Sequence, residues 1–153
     1  MKETLEDKRL VEKFKPGVLS KDGFLGADKR HIHDIIEADA RTLAQFGVTR
    51  EEIADALADL IEAGKKGLGQ AVDHGPFEIT VFWERGLIPD PFGGRVRSPK
   101  LVATVTKKET GETFRFTQLS VHMIREHGFF EGKGSTFRLE PDDIIRFLDL
   151  RHS

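Results

Sequence analysis

Histidine and carboxylate side chains at helical spacing are the residues of this sequence best suited to metal chemistry. His33 and Glu37 lie four residues apart, as do His122 and Glu126, so each pair would share one face of a helix. A metal site needs three or four converging ligands, and no HExxH pattern is present. Further residues of ligand type are His31, Asp34, His74 and His127. We therefore expect half-buried, hydrogen-bonded histidines with no metal or other cofactor, and keep a metal-dependent hydrolase as an alternative.

Asp39 is a carboxylate inside an apolar helical stripe, one heptad after Ile32. A carboxylate in such a position either pairs with a cation or takes a raised pKa. A raised pKa would suit a catalytic acid. A structural role is the more frequent outcome and the one we predict, either as an ion pair or as a residue at the edge of the stripe.

The largest charge feature of the sequence lies between residues 85 and 108. Its basic residues are Arg85, Arg95, Arg97, Lys100, Lys107 and Lys108. With Asp90 as its single acid, the segment has six positive charges and one negative charge, a net of +5. Arg95 and Arg97 follow a Gly-Gly pair, so guanidinium and backbone groups could both approach an anion. Trp83, just before the segment, and Phe92 within it could supply stacking faces for bases.

A glycine-rich segment, residues 132–136, resembles part of a phosphate-binding loop. It departs from the full motif because Gly134 follows Lys133, where serine or threonine is needed to hold Mg²⁺. We interpret it as a turn whose backbone N–H groups could still contact an anion. The predicted ligand-binding residues are thus Arg85, Arg95, Arg97, Lys100, Lys133 and Ser135.

Three functional hypotheses follow from these residues. The first is a non-catalytic binding module that uses a basic loop, residues 85–100, to hold a phosphate-bearing small molecule or single-stranded nucleic acid. The second is the metal-dependent hydrolase, and the third is a structural homo-oligomer subunit. The basic loop also has a purely structural explanation, in which its arginines pair with the acidic helices of the first half. Reading of DNA by the segment 49–63 is excluded, because its net charge of −4 would be repelled by phosphates.

The elements that must position these groups are helical in the first half of the chain. Apolar residues at a period of 3.6 predict helices over residues 4–15, 29–46 and 49–63. Asp28 is the expected N-cap of the second helix, and Thr49 and Glu52 match a capping box for the third. Gly47 separates the second helix from the third, so these two helices should form a hairpin.

The second half of the chain changes to a period of two, which is typical of strands. Strands are predicted over residues 77–84, 101–108 and 112–119, and helices over residues 120–127 and 141–150. The expected fold is a single α+β domain over residues 1–153. It combines an N-terminal helical hairpin with a three-stranded antiparallel meander and two C-terminal helices.

Composition indicates a well-solvated globular protein. Of its 153 residues, 38% are hydrophobic and 33% are charged. No apolar run approaches the ~20 residues that span a bilayer, and the charged N-terminus lacks the apolar stretch of a signal peptide. A cytoplasmic location without a membrane partner is therefore expected. The sequence has no Cys, which excludes disulfides and thiolate chemistry, and its scarcity of thermolabile residues favours a thermophilic source.

Overall fold

The computed structural model describes residues 5–15 and 23–150. Its elements in chain order are α1 (Leu5–Lys13), α2 (Ile32–Phe46), α3 (Arg50–Lys65), β1 (Val72–His74), β2 (Phe77–Pro89), β3 (Arg97–Lys107), β4 (Thr113–Thr117), α4 (Gln118–His127) and α5 (Pro141–Leu148). Helices precede and follow one sheet, so the predicted α+β class is confirmed. The predicted first helix began at residue 4, which lies outside the described ranges. No helix within those ranges is long and apolar enough to cross a membrane.

The sheet has the order β1-β2-β3-β4, and every neighbouring pair is antiparallel. The three predicted strands and the β3–β4 hairpin are confirmed, and the short β1 adds a fourth strand at one edge. Val81, Ala103 and Phe116 lie in register across three strands and are fully buried. The helices α3 and α4 pack against the sheet and against each other. The main apolar core therefore lies between the sheet and these two helices.

The second and third helices follow each other as predicted, but they pack on different partners. Gly47 ends α2 in the left-handed conformation, with φ at +66°. α3 then lies on the sheet and α4, whereas α2 contacts α5. The start of α2 contributes to a second apolar cluster. The buried members of that cluster are Phe14, Phe24, Ile32, Ile35, Leu119, Met123 and Phe129.

The N-cap of α2 is His31, which corrects the prediction of Asp28. The Nδ1 atom of His31 accepts a hydrogen bond from the backbone N–H of His33 at 3.2 Å. Asp28 instead accepts two bonds from the guanidinium of Arg30, at 2.9 and 2.6 Å, and one from the backbone N–H of Lys133 at 3.1 Å. The prediction failed because α2 begins only at Ile32, and the Asp28 carboxylate bonds to Arg30 and Lys133 instead of to the first turn of the helix.

The predicted basic loop over residues 85–100 is mostly strand, so its structural prediction was wrong. β2 extends to Pro89 and β3 begins at Arg97, which leaves a loop of residues 90–96. The glycine and prolines that favoured a loop are accommodated in the ribbon. Gly86 takes a φ of +98° in a bulge of β2, and proline is tolerated in edge strands.

The capping box predicted for α3 is confirmed. Thr49 Oγ1 accepts a hydrogen bond from the backbone N–H of Glu52 at 3.1 Å, and the Thr49 N–H donates to Glu52 Oε1 at 3.2 Å. Val48 and Ile53, on either side of the box, are buried. This local arrangement fixes where α3 begins and which face it turns to the sheet.

Replacing Thr49 by alanine is expected to lower the free energy of unfolding by about 1 kcal/mol, because an N-terminal N–H of α3 loses its acceptor. Leu57→Ala, at a fully buried position of the same helix, should cost about 2–5 kcal/mol. Urea denaturation of both variants measures the two values. A Thr49 effect larger than the Leu57 effect would contradict the position of α3 in the core.

Candidate functional site

Four of the six predicted ligand-binding residues lie on a two-stranded ribbon at one end of the sheet. β1 pairs with β2 only as far as Ile79, and β4 pairs with β3 only from Val102 onward. Residues 83–89 of β2 and residues 97–101 of β3 therefore pair with each other alone. We call the whole segment, residues 83–101, the basic ribbon.

A bulge in the basic ribbon contains one of its cations and lies beside another. Glu84 and Leu87 have partners in β3, whereas Arg85 and Gly86 between them have none. A Cβ atom at Gly86 would lie 3.9 Å from Cε of Lys100. The side chain of Lys100 therefore lies beside the bulge that contains Arg85.

The four cations of the basic ribbon are exposed and lack ion pairs. Among the side chains that the structure describes, no carboxylate pairs with Arg85, Arg95, Arg97 or Lys100. Bases on the helices do pair with acids, among them Arg41 with Glu37, Arg125 with Asp55, and Arg146 with Asp142. The structural explanation of the basic segment, in which its arginines pair with acidic helices, is thus not realised among the described residues.

Apolar side chains are exposed beside these cations. Trp83, Leu87 and Val96 keep 47%, 60% and 43% of their surface exposed. Aromatic faces next to cations are the combination with which proteins bind single-stranded nucleic acids. The basic ribbon thus offers a charged surface and an apolar surface to the same ligand.

The loop of the basic ribbon begins at a buried carboxylate that contacts two histidines. Asp90 Oδ2 lies 2.8 Å from Nε2 of His122 and 2.8 Å from Nε2 of His127. We call these three residues the Asp90 cluster. Within the part of the chain that the structure describes, it is the one set of three or more histidines and acids whose ligand atoms converge. The residue types are those that hold a divalent metal.

Local sequence features hold the Asp90 cluster in place. α4 begins with Thr117 Oγ1 accepting a hydrogen bond from the Ser120 N–H at 2.9 Å, and it ends at Gly128 with φ at +66°. The ring of His127 stacks on Phe92, with centroids 4.0 Å apart. The Phe92 N–H donates to Asp90 Oδ1 at 2.8 Å. Phe92 therefore positions one histidine with its ring and the carboxylate with its backbone.

A groove of 290 Å³ opens between α3, α4 and β3, next to the Asp90 cluster. It is lined by His122 of the cluster and by Arg97 of the basic ribbon. The Arg97 guanidinium donates to the carbonyls of Gly94 and Val96 at 3.3 and 3.1 Å. Gln118 also lines the groove, and its Oε1 is buried without a hydrogen-bond partner among the described residues.

The two remaining predicted residues lie elsewhere. Lys133 lines a separate depression of 380 Å³ together with Arg30 and Asp39. The Ser135 hydroxyl donates to Glu131 Oε1 at 3.1 Å. No residue of the basic ribbon lines this depression. The structure therefore does not bring the predicted glycine-rich turn and the ribbon into one site.

The charged groups near Lys133 are paired or buried. Hydrogen bonds from Arg30 hold the pKa of Asp28 well below its usual range. Burial raises the pKa of Glu131 to about 8. Asp39 accepts two hydrogen bonds from Arg138, at 2.6 and 2.9 Å, so the predicted ion pair is confirmed. These pairings serve the fold and leave this depression less suited to an anion than the ribbon.

The other histidines do not form a converging set within the described ranges. The ring of His33 stacks on His31 with centroids 4.9 Å apart. Glu37, its predicted co-ligand, pairs with Arg41 at 3.3 Å. His74 lies at an exposed position of β1. Of the histidines named from the sequence, two therefore share a carboxylate.

Comparisons with known protein families, with curated proteins and with solved structures give no match to this chain. The functional argument therefore rests on the geometry and chemistry of the ribbon and the Asp90 cluster.

The sequence named His122 and His127 as candidates but did not identify Asp90 as their partner. Asp90 lies 32 and 37 residues from the two histidines, and no local pattern joins them. One feature of the sequence could have drawn attention to this residue, because Asp90 is the single acid of a strongly basic segment.

Proposed function

We propose that the protein binds a phosphate-bearing ligand, a small molecule or single-stranded nucleic acid, through the basic ribbon. The observation that carries this proposal is the set of four exposed cations without carboxylate partners among the described residues. Other bases, among them Arg41, Arg125 and Arg146, pair with acids. Four exposed bases without such a partner on one ribbon are a feature that an anionic ligand would explain. The proposed contact residues are Arg85, Arg95, Arg97 and Lys100.

The chemistry of the side chains favours phosphate as the anion. The planar guanidinium of arginine presents parallel N–H donors that match phosphate oxygens, and three of the four cations are arginines. The exposed ring of Trp83 could add base stacking, worth about 1–3 kcal/mol per base. A ligand with both a phosphate and a base would therefore use both surfaces of the ribbon.

Replacing Arg95 and Arg97 by alanine is expected to weaken binding of a short oligothymidylate by about tenfold or more at low salt, because charge-assisted hydrogen bonds are lost. Each lost phosphate contact should also reduce the slope of log affinity against log salt by ~0.7, so the double variant should lose about 1.4. The protein has one tryptophan, Trp83, and its fluorescence reports binding at the ribbon.

The matched control is Arg41→Ala with Arg146→Ala. These changes remove the same charge from α2 and α5, where both bases pair with acids. At physiological salt the effect of the removed charges is screened, so the control variant should bind with an affinity close to that of the wild type. Equal affinities for the two double variants would place the site outside the ribbon.

Parallel titrations with inorganic phosphate and with a mononucleotide test whether the ligand is a small molecule. No binding of any of the three probes would refute the proposal.

A further inference from the structure

Asp90 is a buried carboxylate that no lysine or arginine among the described residues neutralises. Its side chain is 3% exposed, and within the described residues its partners are two imidazole nitrogens and one backbone N–H. A buried carboxylate carries a large desolvation cost unless a positive charge compensates it. The two imidazoles supply N–H donors, and a cation bound among the three groups would supply a compensating positive charge.

The three facing atoms are all metal ligands by type. Both Nε2 atoms lie 2.8 Å from Asp90 Oδ2, and the three ligand atoms lie within 4.8 Å of one another. A metal with bonds of about 2.0–2.1 Å holds its ligands about 3.0–3.4 Å apart. Outward shifts of about half an ångström would therefore change hydrogen bonding into coordination.

The ligands are supported from outside the cluster, as ligands of a metal site are. Asp90 Oδ1 is held by the Phe92 N–H, which leaves Oδ2 directed to the histidines. The His127 ring lies against the ring of Phe92. His122 and His127 both belong to α4, whose two ends are capped. The arrangement therefore requires little ordering when an ion enters.

We propose that Asp90, His122 and His127 bind one divalent transition-metal ion, zinc or iron(II), and leave at least one coordination position for water or a ligand. Two imidazoles and one carboxylate are the ligand set of open zinc and non-haem iron sites. Structural zinc sites use four protein ligands, and the described residues supply three. Mg²⁺ and Ca²⁺ are disfavoured because they prefer oxygen ligands.

The metal centre would lie beside the proposed anion-binding surface. His122 is 21% exposed and lines the groove that Arg97 also lines, so an open position there could meet a ligand held by the ribbon. This is the arrangement that a metal-dependent hydrolase requires. The metal proposal is independent of anion binding, because none of the three metal ligands is a cation of the ribbon.

Cobalt(II) titration of chelator-treated protein tests the proposal, because Co²⁺ substitutes for zinc and gives visible absorption bands. We expect one Co²⁺ per chain in the wild type. Loss of a group that only supports a metal ligand costs about 10–100-fold in affinity. The double variant His122→Gln with His127→Gln removes two ligands themselves, so its affinity for Co²⁺ should fall by more than about 100-fold. His74→Gln, at the exposed histidine of β1, is the matched control and should bind like the wild type.

A second measurement needs no variant and therefore does not depend on variant folding. In the wild type, Zn²⁺ should shift the ring ¹⁵N signals of two of the six histidines, His122 and His127. Zn²⁺ should also raise the melting temperature of the wild type, since an ion that binds the folded state stabilises it. Wild-type Co²⁺ affinity equal to that of the double variant, or Zn²⁺ shifts confined to other histidines, would overturn the proposal.

Discussion

Replacing Asp39 by alanine is expected to lower the free energy of unfolding by about 3–5 kcal/mol, because it leaves a buried arginine without its main partner. The side chains of Asp39 and Arg138 are each 6% exposed. Burial lowers the pKa of Arg138, but its hydrogen bonds to Asp39 and Glu140 outweigh that effect and raise the pKa above its usual range. The guanidinium stays charged, so the variant cannot relieve the cost by deprotonation. Urea denaturation at neutral pH measures the change.

Two further variants separate the cost of an unpaired charge from the loss of packing. Asp39→Leu combined with Arg138→Met removes both charges and should recover most of the lost stability, since apolar pairs often match buried ion pairs. Glu37→Ala removes an exposed pair with Arg41 and should change stability by less than about 0.5 kcal/mol. A cost for Asp39→Ala no larger than that for Glu37→Ala would contradict the buried pair.

Helix ends were predictable from the sequence where their signals are local. The capping box at Thr49, the left-handed Gly47 and the N-terminal Pro141 of α5 each act within a few residues, and each lies where the pattern placed it. Asp28 shows the limit of such signals. Its carboxylate bonds to Arg30 and to the backbone of Lys133, which is more than 100 residues away, so only part of its environment is local.

The basic ribbon shows where local signals mislead. Gly86, Pro89 and Pro99 favour a loop by composition, yet all three lie in paired strands. Pairing of the two strands satisfies most of their backbone groups, and a bulge takes up the irregularity. The charge of the segment was visible in the sequence, whereas its shape depends on pairing between residues far apart in the chain.

Convergence of the Asp90 cluster could not be predicted for a similar reason. His122 and His127 are five residues apart, which is not the spacing that places side chains over one another on a helix. They meet because the loop at residues 90–96 brings one carboxylate against the end of α4. The sequence therefore contained the residues of ligand type, but it did not show that the three side chains converge.

Glu131 is another group whose environment only the structure reveals. Its side chain is 3% exposed, and its backbone φ is +68°. The turn that follows packs directly on the backbone of an earlier segment. A Cβ atom at Gly132 would lie 2.2 Å from the carbonyl oxygen of Leu25, so only glycine fits there. Close packing of two backbones keeps the carboxyl of Glu131 away from solvent, and burial raises its pKa to about 8.

The wild type should lose stability between about pH 4.5 and pH 8, and Glu131→Gln is expected to remove most of that loss. The pKa of Glu131 rises from 4.5 to about 8 on folding, so folding takes up a proton throughout this interval. The contribution to stability is fully present below pH 4.5 and is lost as pH rises through 8. At ~1.4 kcal/mol per pKa unit, the wild type should lose about 4–5 kcal/mol relative to the variant. Urea denaturation at about pH 4 and about pH 9 measures this difference.

The Ser135→Ala variant checks the cause of this pH dependence. The Ser135 hydroxyl donates a hydrogen bond to the Glu131 carboxyl and thereby lowers its pKa, against the larger effect of burial. Removing the hydroxyl should raise that pKa further and extend the loss of stability to higher pH. The same pH dependence in the wild type and in Glu131→Gln would show that this carboxyl ionises in the folded protein without cost. Burial would then not control the proton of Glu131.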